Sequence, residues 1–264
     1  MKKKHQKKGI VYRMSENLHN DLRSVAYHQE TSIQQLLDQA VEEHMGQYNL
    51  KLATKPLSEI EQSLLNCCGG RRFKTIMADP PWQFQNRTGK VAPEHKRLNR
   101  YATMSLDEIC DLPVEEIADD TAHLYLWVPN ALLPDGLRVM EEWGFQYKSN
   151  IIWHKIRKDG GSDGRGVGFY FRNVTEVLLF GVRGKNARTL APGRSQVNMI
   201  QSRKREHSRK PDEQYRLIES CSPGPYLELF SRGVREEWAV WGNQADDAYT
   251  PNWATYKNHS QSVA

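Results

Sequence analysis

From residue 71 to about residue 245 the chain keeps returning to one pattern: a short run of β-branched and aromatic residues, then a stretch with helical spacing. The strand-like runs are Phe73 to Ala78, His123 to Val128, Asn150 to His154, Val174 to Val182, Tyr226 to Phe230 and Glu237 to Trp241. Helical patterns fall over Leu137 to Trp143 and Pro211 to Glu219. Strands separated by helices have room for crossover connections, and such chains fold into a mostly parallel sheet covered by helices. The expected fold class is therefore α/β, doubly wound. No apolar run approaches the roughly eighteen residues of a membrane span.

The first of these strands runs straight into Asp79-Pro80-Pro81-Trp82. Proline cannot donate to a strand ladder, so the strand has to end there, at the carboxyl edge where open α/β sheets bind ligands. Stiffened by two prolines, the turn is expected to leave its carbonyls unpaired and pointing outward. An adenine amine is a poor nucleophile because its lone pair is delocalised into the ring. Hydrogen bonds from its two protons, to the Asp79 carboxylate and the Pro80 carbonyl, would localise that pair toward an electrophilic methyl. Trp82 offers a flat face on which a base could stack.

This motif and the segments after it resemble the MT-A family of adenine-N6 methyltransferases, over about Phe73 to Gln244. The resemblance extends through Tyr101-Ala102-Thr103-Met104-Ser105, Leu124-Tyr125-Leu126-Trp127-Val128, Trp153-His154-Lys155, and Glu176 in a strand ending Gly181-Val182. It continues through Ser208-Arg209-Lys210-Pro211-Asp212-Glu213, Glu228-Leu229-Phe230-Ser231-Arg232 and Gly242-Asn243-Gln244. It implies a Rossmann-like methyltransferase sheet in which the catalytic motif precedes the cofactor strand, a permuted order. It also implies S-adenosylmethionine as cofactor, met by Asp79 and Lys210 at its methionine end and by Arg232 at the ribose. Asn243 and Gln244 would meet the adenine ring, with Phe230 as an apolar wall, and Tyr101 would gate the base pocket. The messenger-RNA enzymes of the family carry a longer segment with His and Asn after the Arg232 position. Here Gly233-Val234-Arg235-Glu236-Glu237 is shorter, so those ribose contacts are absent or replaced.

Charge is unevenly distributed. The net charge is +5, but between Lys155 and Lys210 there are 14 Lys or Arg against 4 Asp or Glu. Such a block suits a phosphate-tracking surface, although a solvated charge-rich loop region would have the same composition. Lys155, Arg203, Lys204 and Arg205 are the candidate nucleic-acid contacts within it. Ile156 to Gly168, punctuated by Gly160, Gly161 and Gly164, is expected to be an active-site lid. Cys67, Cys68, Cys110 and Cys221 match neither a zinc site nor a disulfide framework, which favours a reducing compartment and a cytoplasmic location. No metal is expected, because transfer from a sulfonium needs positioning rather than a Lewis acid. His123, His154 and His207 read as structural or surface residues.

Ahead of the α/β region lies a different pattern. After the basic arm of residues 1–8, Gly9 to Met14 reads as a strand. Ser15 caps a helix with Leu18, Leu22, Val25 and Ala26 on one face. A second helix follows Thr31, whose capping partner would be Gln34, with a stripe of Ile33, Leu36, Leu37, Ala40, Val41 and Met45. One strand and two helices in about fifty residues bury too little surface alone, so a homodimer with paired strands is expected. Residues 9–46 resemble the ribbon-helix-helix DNA-binding family, in which paired strands enter the major groove. On that resemblance Val11 and Arg13 face outward, with Ile10, Tyr12 and Met14 inward. The expected organisation is a DNA-binding and dimerisation module at 1–50, a linker at 51–70 with a helical stretch around Leu57 to Leu65, a methyltransferase domain at 71–245 and a polar tail at 246–264.

These readings point to methylation of adenine in DNA, with the base flipped into the Asp-Pro-Pro-Trp site. RNA adenine methylation is the second reading. A DNA-binding regulator with an inactive methyltransferase domain is the third, and the presence of both Asp79 and Trp82 argues against it.

Overall fold

The computed structural model of the protein describes residues 14–47, 56–83, 103–163, 170–204, 209–243 and 245. The chain divides into two compact units, Met1–Pro56 and Leu57–Ala264.

The first unit holds helices α1 (Glu16–His28) and α2 (Ile33–Gln47). Ser15 caps α1 as expected, its hydroxyl accepting from the Leu18 N–H at 3.4 Å. The cap of α2 lies one residue later than expected. Ser32 Oγ accepts from the Gln35 N–H at 3.2 Å and Gln35 Oε1 accepts from the Ser32 N–H at 3.1 Å, replacing Thr31 with Gln34. Two adjacent hydroxyls followed by two adjacent glutamines satisfy the capping spacing in either register, so sequence alone could not choose. In α1 only Ala26 is buried, while Leu18 (41% exposed), Val25 (42%) and Val41 of α2 (60%) stay open. The expected strand at Gly9–Met14 falls, except for Met14, outside the described residues, and so does Arg13.

The second unit begins with α3 (Glu59–Cys68). A reciprocal Ser58–Glu61 capping box starts it, and Gly69, left-handed at φ 56°, ends it. Sequence had placed this stretch in a linker; α3 instead buries Leu64 and Cys68 in the core of the second unit. Then follow β1 (Phe73–Ala78), α4 (Leu106–Cys110), α5 (Val114–Ile117), β2 (Ala118–Val128) and α6 (Leu133–Glu142). The chain continues through β3 (Gln146–Ile156), β4 (Thr175–Arg183), β5 (Met199–Arg203), α7 (Glu213–Cys221), β6 (Tyr226–Leu229) and β7 (Trp238–Trp241).

The strands form one seven-stranded sheet in the order β5-β3-β4-β2-β1-β6-β7. Every neighbouring pair is parallel except those made by β4, which runs against both β2 and β3. Both faces are buried, as the continuous apolar runs required. Successive side chains of β2 go to opposite faces: Leu124, Leu126 and Val128 join the core shared with Val139, Met140 and Trp143, whereas Tyr125 and Trp127 join the core shared with Ile218. Helix α6 thus covers one face and α7 the other. This is a Rossmann-like α/β fold, mostly parallel as expected.

The sequence reading missed α4, α5 and β5. Helices α4 and α5 have five and four residues, too short to show a period. Strand β5 is a short, half-polar edge strand, Met-Ile-Gln-Ser-Arg, with only Ile200 and Ser202 turned inward.

Candidate active site

Strands β1, β2, β3 and β6 end, and reversed β4 begins, at a single edge of the sheet, where a cleft of about 1210 Å³ opens. Asp79 stands at its foot because the ladder of β1 cannot continue through Pro80 and Pro81. Lys210 Nζ donates to both Asp79 carboxylate oxygens, at 2.8 Å each, and lies 3.4 Å from Glu176 Oε2. Glu176, the second residue of β4, also accepts from Lys155 Nζ. Charges therefore alternate along Asp79, Lys210, Glu176 and Lys155. The two ammonium groups lie over indole rings, Lys210 at 5.4 Å from Trp127 and Lys155 at 4.8 Å from Trp153.

Burial disfavours every charge in this row, and the neighbours decide which charges are held. Burial alone would lower the Lys210 ammonium, but Asp79 and Glu176 outweigh it and hold Lys210 above the usual lysine value. Glu176 is pushed up by burial and pulled down further by Lys210 and Lys155, so it stays below the ordinary carboxylate range. For Asp79 burial outweighs the attraction of Lys210, and its carboxyl titrates above the usual value. For Lys155 burial outweighs Glu176, and its ammonium is shifted down.

The Asp-Pro-Pro-Trp turn differs from expectation in two respects. Its carbonyls are not left unpaired: Pro80 O accepts from the Trp82 N–H at 2.8 Å and Pro81 O from the Met104 N–H at 3.0 Å. The turn folds back on itself and borrows a partner from the segment before α4. Trp82 is only 6% exposed and donates its indole N–H to the Trp127 carbonyl at 2.9 Å. It is a wall of the cleft packed into the core, with little open face for a base.

On the strand next to Asp79, Phe230 follows Leu229, the register partner of Ala78, and stands against Trp241 with ring centroids 5.4 Å apart; Arg232 and Asn243 line the same space. Phe230 has a left-handed backbone, φ 63°, which turns the chain out of β6. A Cβ on Gly242 would sit 2.5 Å from Ser231 N and 2.6 Å from Ser231 O, so only glycine lets the end of β7 pass this turn. That close approach sets Asn243 at the cleft.

Of the other expected contacts, Lys155 is 9% exposed and occupied with Glu176, which removes it from a phosphate-facing surface. Lys204 is half exposed and pairs with the buried Asp163 at 2.8 Å, tying β5 to the segment after β3. Arg203 ends β5, partly buried. Tyr101, Arg205 and Gln244 lie outside the described residues, as do residues 164–168 of the expected lid. His123 is held by Ser222 Oγ at 2.7 Å and His154 by Ser162 Oγ at 2.9 Å.

Among the cleft residues to which the sequence assigns no role are Glu228, Tyr215 and Arg235. Tyr215 donates its hydroxyl to Glu228 Oε2 at 2.9 Å, and the Arg235 guanidinium stacks 3.6 Å from the Tyr215 ring centre. A carboxylate inside an apolar strand is costly unless used, and that was the sequence signal for both Glu228 and Glu176.

The model of the MT-A70 family matches residues 73–244. The chain belongs to the MT-A70 family. The N(6)-adenosine-methyltransferase catalytic subunit METTL3 of Homo sapiens is 33% identical over 179 residues, 66% of this chain and 28% of that protein. The MT-A70-like N(6)-adenosine-methyltransferase of Drosophila melanogaster is 33% identical over 179 residues, with 66% and 27% covered. This chain thus spans under a third of the length of these relatives. The type II methyltransferase M.MunI of a Mycoplasma species is 26% identical over 208 residues, 73% of this chain and 84% of that protein.

MT-A70 methyltransferases use S-adenosylmethionine as methyl donor. The cleft suits that molecule in donor set and in size. It brings the Lys210 ammonium and the Asp79 carboxylate into one space with the aromatic wall of Phe230 and the Asn243 amide, and it exceeds the roughly 300–1,000 Å³ of an ordinary ligand pocket.

Proposed function

We propose that the protein methylates the exocyclic amine of adenine in DNA, with S-adenosylmethionine supplying an electrophilic methyl carbon when bound. The observation that carries the chemistry is the Asp79 carboxylate, held by two 2.8 Å bonds from Lys210 at the foot of the MT-A70 cleft. An amine brought there donates a hydrogen bond to a fixed acceptor, so its lone pair turns away from the ring and the geometry is set before reaction. The Pro80 carbonyl, though engaged by the Trp82 N–H, keeps a second lone pair for the other amine proton. Lys210 meets the carboxylate of the cofactor's methionine portion, Arg232 its ribose, and Asn243 and Gln244 its adenine against Phe230. Glu176 and Lys155 fix where the Lys210 ammonium points.

Two features support DNA over RNA. The first unit has two capped helices with open apolar faces, as a ribbon-helix-helix dimer requires, and the chain matches M.MunI along most of both lengths. On this reading the protein is a homodimer of the cytoplasm, residues 1–50 bind DNA with Arg13 among the contacts, and Tyr101, Arg203, Lys204 and Arg205 contact the substrate.

The test is transfer of labelled methyl groups to matched duplex DNA, single-stranded DNA and RNA, followed by nucleoside analysis. N6-methyladenine in DNA is the expected product, and Asp79→Ala abolishes it with the fold intact by circular dichroism. Label in RNA alone would remove the DNA reading, and transfer by Asp79→Ala near the wild-type rate would remove Asp79 from the mechanism.

A further inference from the structure

Beside the catalytic edge the chain leaves two adjacent aromatic rings in water: Tyr170 is 94% exposed and Phe171 85%. Single exposed apolar residues are ordinary, whereas a neighbouring pair of large rings marks a contact surface. Arg172 next to them is exposed, as are Arg157 and Lys158 on the opposite arm of the β3–β4 connection.

The position of this pair follows from strand direction. Strand β3 runs toward the catalytic edge and ends at Ile156, and β4 starts there, with Thr175 opposite His154. Glu176, five residues after Phe171, lies 3.4 Å from Lys210. Five or six residues of chain span at most about 22 Å, so the backbone that carries both rings stands within that reach of Glu176. Both arms are anchored. The Asp163 N–H donates to Lys155 O at 2.7 Å, the Lys155 N–H donates to Val174 O at 2.8 Å, and Lys204 pairs with Asp163 at 2.8 Å.

An adenine amine inside a duplex is paired and cannot reach a carboxylate at the foot of a cleft, so the base has to leave the stack. Its departure leaves a gap as thick as an aromatic ring, flanked by phosphates. We propose that Tyr170 and Phe171 form a wedge that enters the base stack of duplex DNA and fills this gap, with Arg172, Arg157 and Lys158 against the flanking phosphates. The wedge rests on the DNA-methylating activity proposed above. It makes the substrate double-stranded and assigns to two residues the cost of opening it.

The test compares wild type, the Tyr170→Ala/Phe171→Ala double variant and Tyr170→Phe on one plasmid, used as linear duplex and as heat-denatured strands. S-adenosylmethionine affinity and particle mass are measured for each protein. Methyl incorporation by the double variant is expected to fall at least about tenfold on duplex and less than about threefold on single strands, which need no extrusion. Cofactor affinity and mass stay constant, and Tyr170→Phe, which keeps the ring, retains duplex activity. Equal losses on both forms, or no loss on duplex, overturn the wedge. A fall in particle mass overturns it too, because the rings would then be covering a protein partner. Wild-type transfer to RNA alone defeats the activity itself, and that result differs from a wild type active on DNA whose double variant fails to discriminate.

Discussion

Asp79 and Glu228 lie in one cleft, yet their neighbours treat their charges differently. Asp79 faces an ammonium across two short bonds, whereas Glu228 receives a hydroxyl from Tyr215, with Arg235 stacked beyond it. Burial pushes the Glu228 carboxyl up from its ordinary 4.5 to about 7, the Asp79 charge adds to the push, and Tyr215 and Arg235 offset only part. Between pH 4.5 and 7 the folded protein thus keeps a proton that the unfolded chain has released, and stability falls as pH rises through that window. Glu228→Gln keeps an acceptor for Tyr215 and removes this titration. Its urea midpoint is expected to lie above that of wild type at pH 8 and to converge with it near pH 4.5; parallel curves at all pH values would exclude Glu228 as the titrating group. At this scale the places of Asp79 and Lys210 were legible because each sits in a distinctive local motif, whereas the turn at Phe230 was not, since Tyr226 to Phe230 reads as one continuous strand. The pairing of Lys155 with Glu176 was not, because it joins residues 21 apart on antiparallel strands whose register the sequence does not carry.

Among the elements, strands buried on both faces were the easiest to read: β1, β2 and β4 are near-continuous apolar runs, and each lies inside the sheet. Element ends were harder. The sequence reads the second strand from His123, whereas β2 starts at Ala118: Ala118 pairs with Phe73, and the polar Asp119 to Thr121 fall in the register shift before Thr75 meets His123, an irregularity that alternation does not announce. The end of β7 offers a sharper test. Gly242→Ala would place a methyl group against the Ser231 backbone, which belongs to the turn from Phe230 to Arg232. Moving that backbone is expected to cost about 1–3 kcal/mol of stability and to weaken S-adenosylmethionine binding. Calorimetry of binding and a thermal melt read both effects, and a variant matching wild type in each would show that the turn yields freely.

The whole molecule consists of two units with unequal cores. The second buries its apolar residues on both faces of a sheet, while among the described residues of the first only Ala26 is buried in α1. Deleting residues 1–56 should therefore lower the number of chains per particle, read from the light-scattering mass, and weaken duplex binding by fluorescence anisotropy. The salt dependence should become shallower by about 0.9 log units for each phosphate the shortened protein leaves unneutralised. Cofactor affinity should hold, since every residue assigned to the cofactor lies in the second unit. A truncated protein with an unchanged number of chains per particle and unchanged duplex affinity would refute the dimeric DNA-binding module. Within the second unit, the reversal of β4 has a practical side. Because β4 runs away from the chemistry, the stretch from Gly184 to Asn198 emerges at the far edge of the sheet, where α7 also ends at Cys221. A dye or surface tether coupled at the exposed Lys185 would grip the enzyme from behind, leaving its working edge open to a strand of nucleic acid drawn past it.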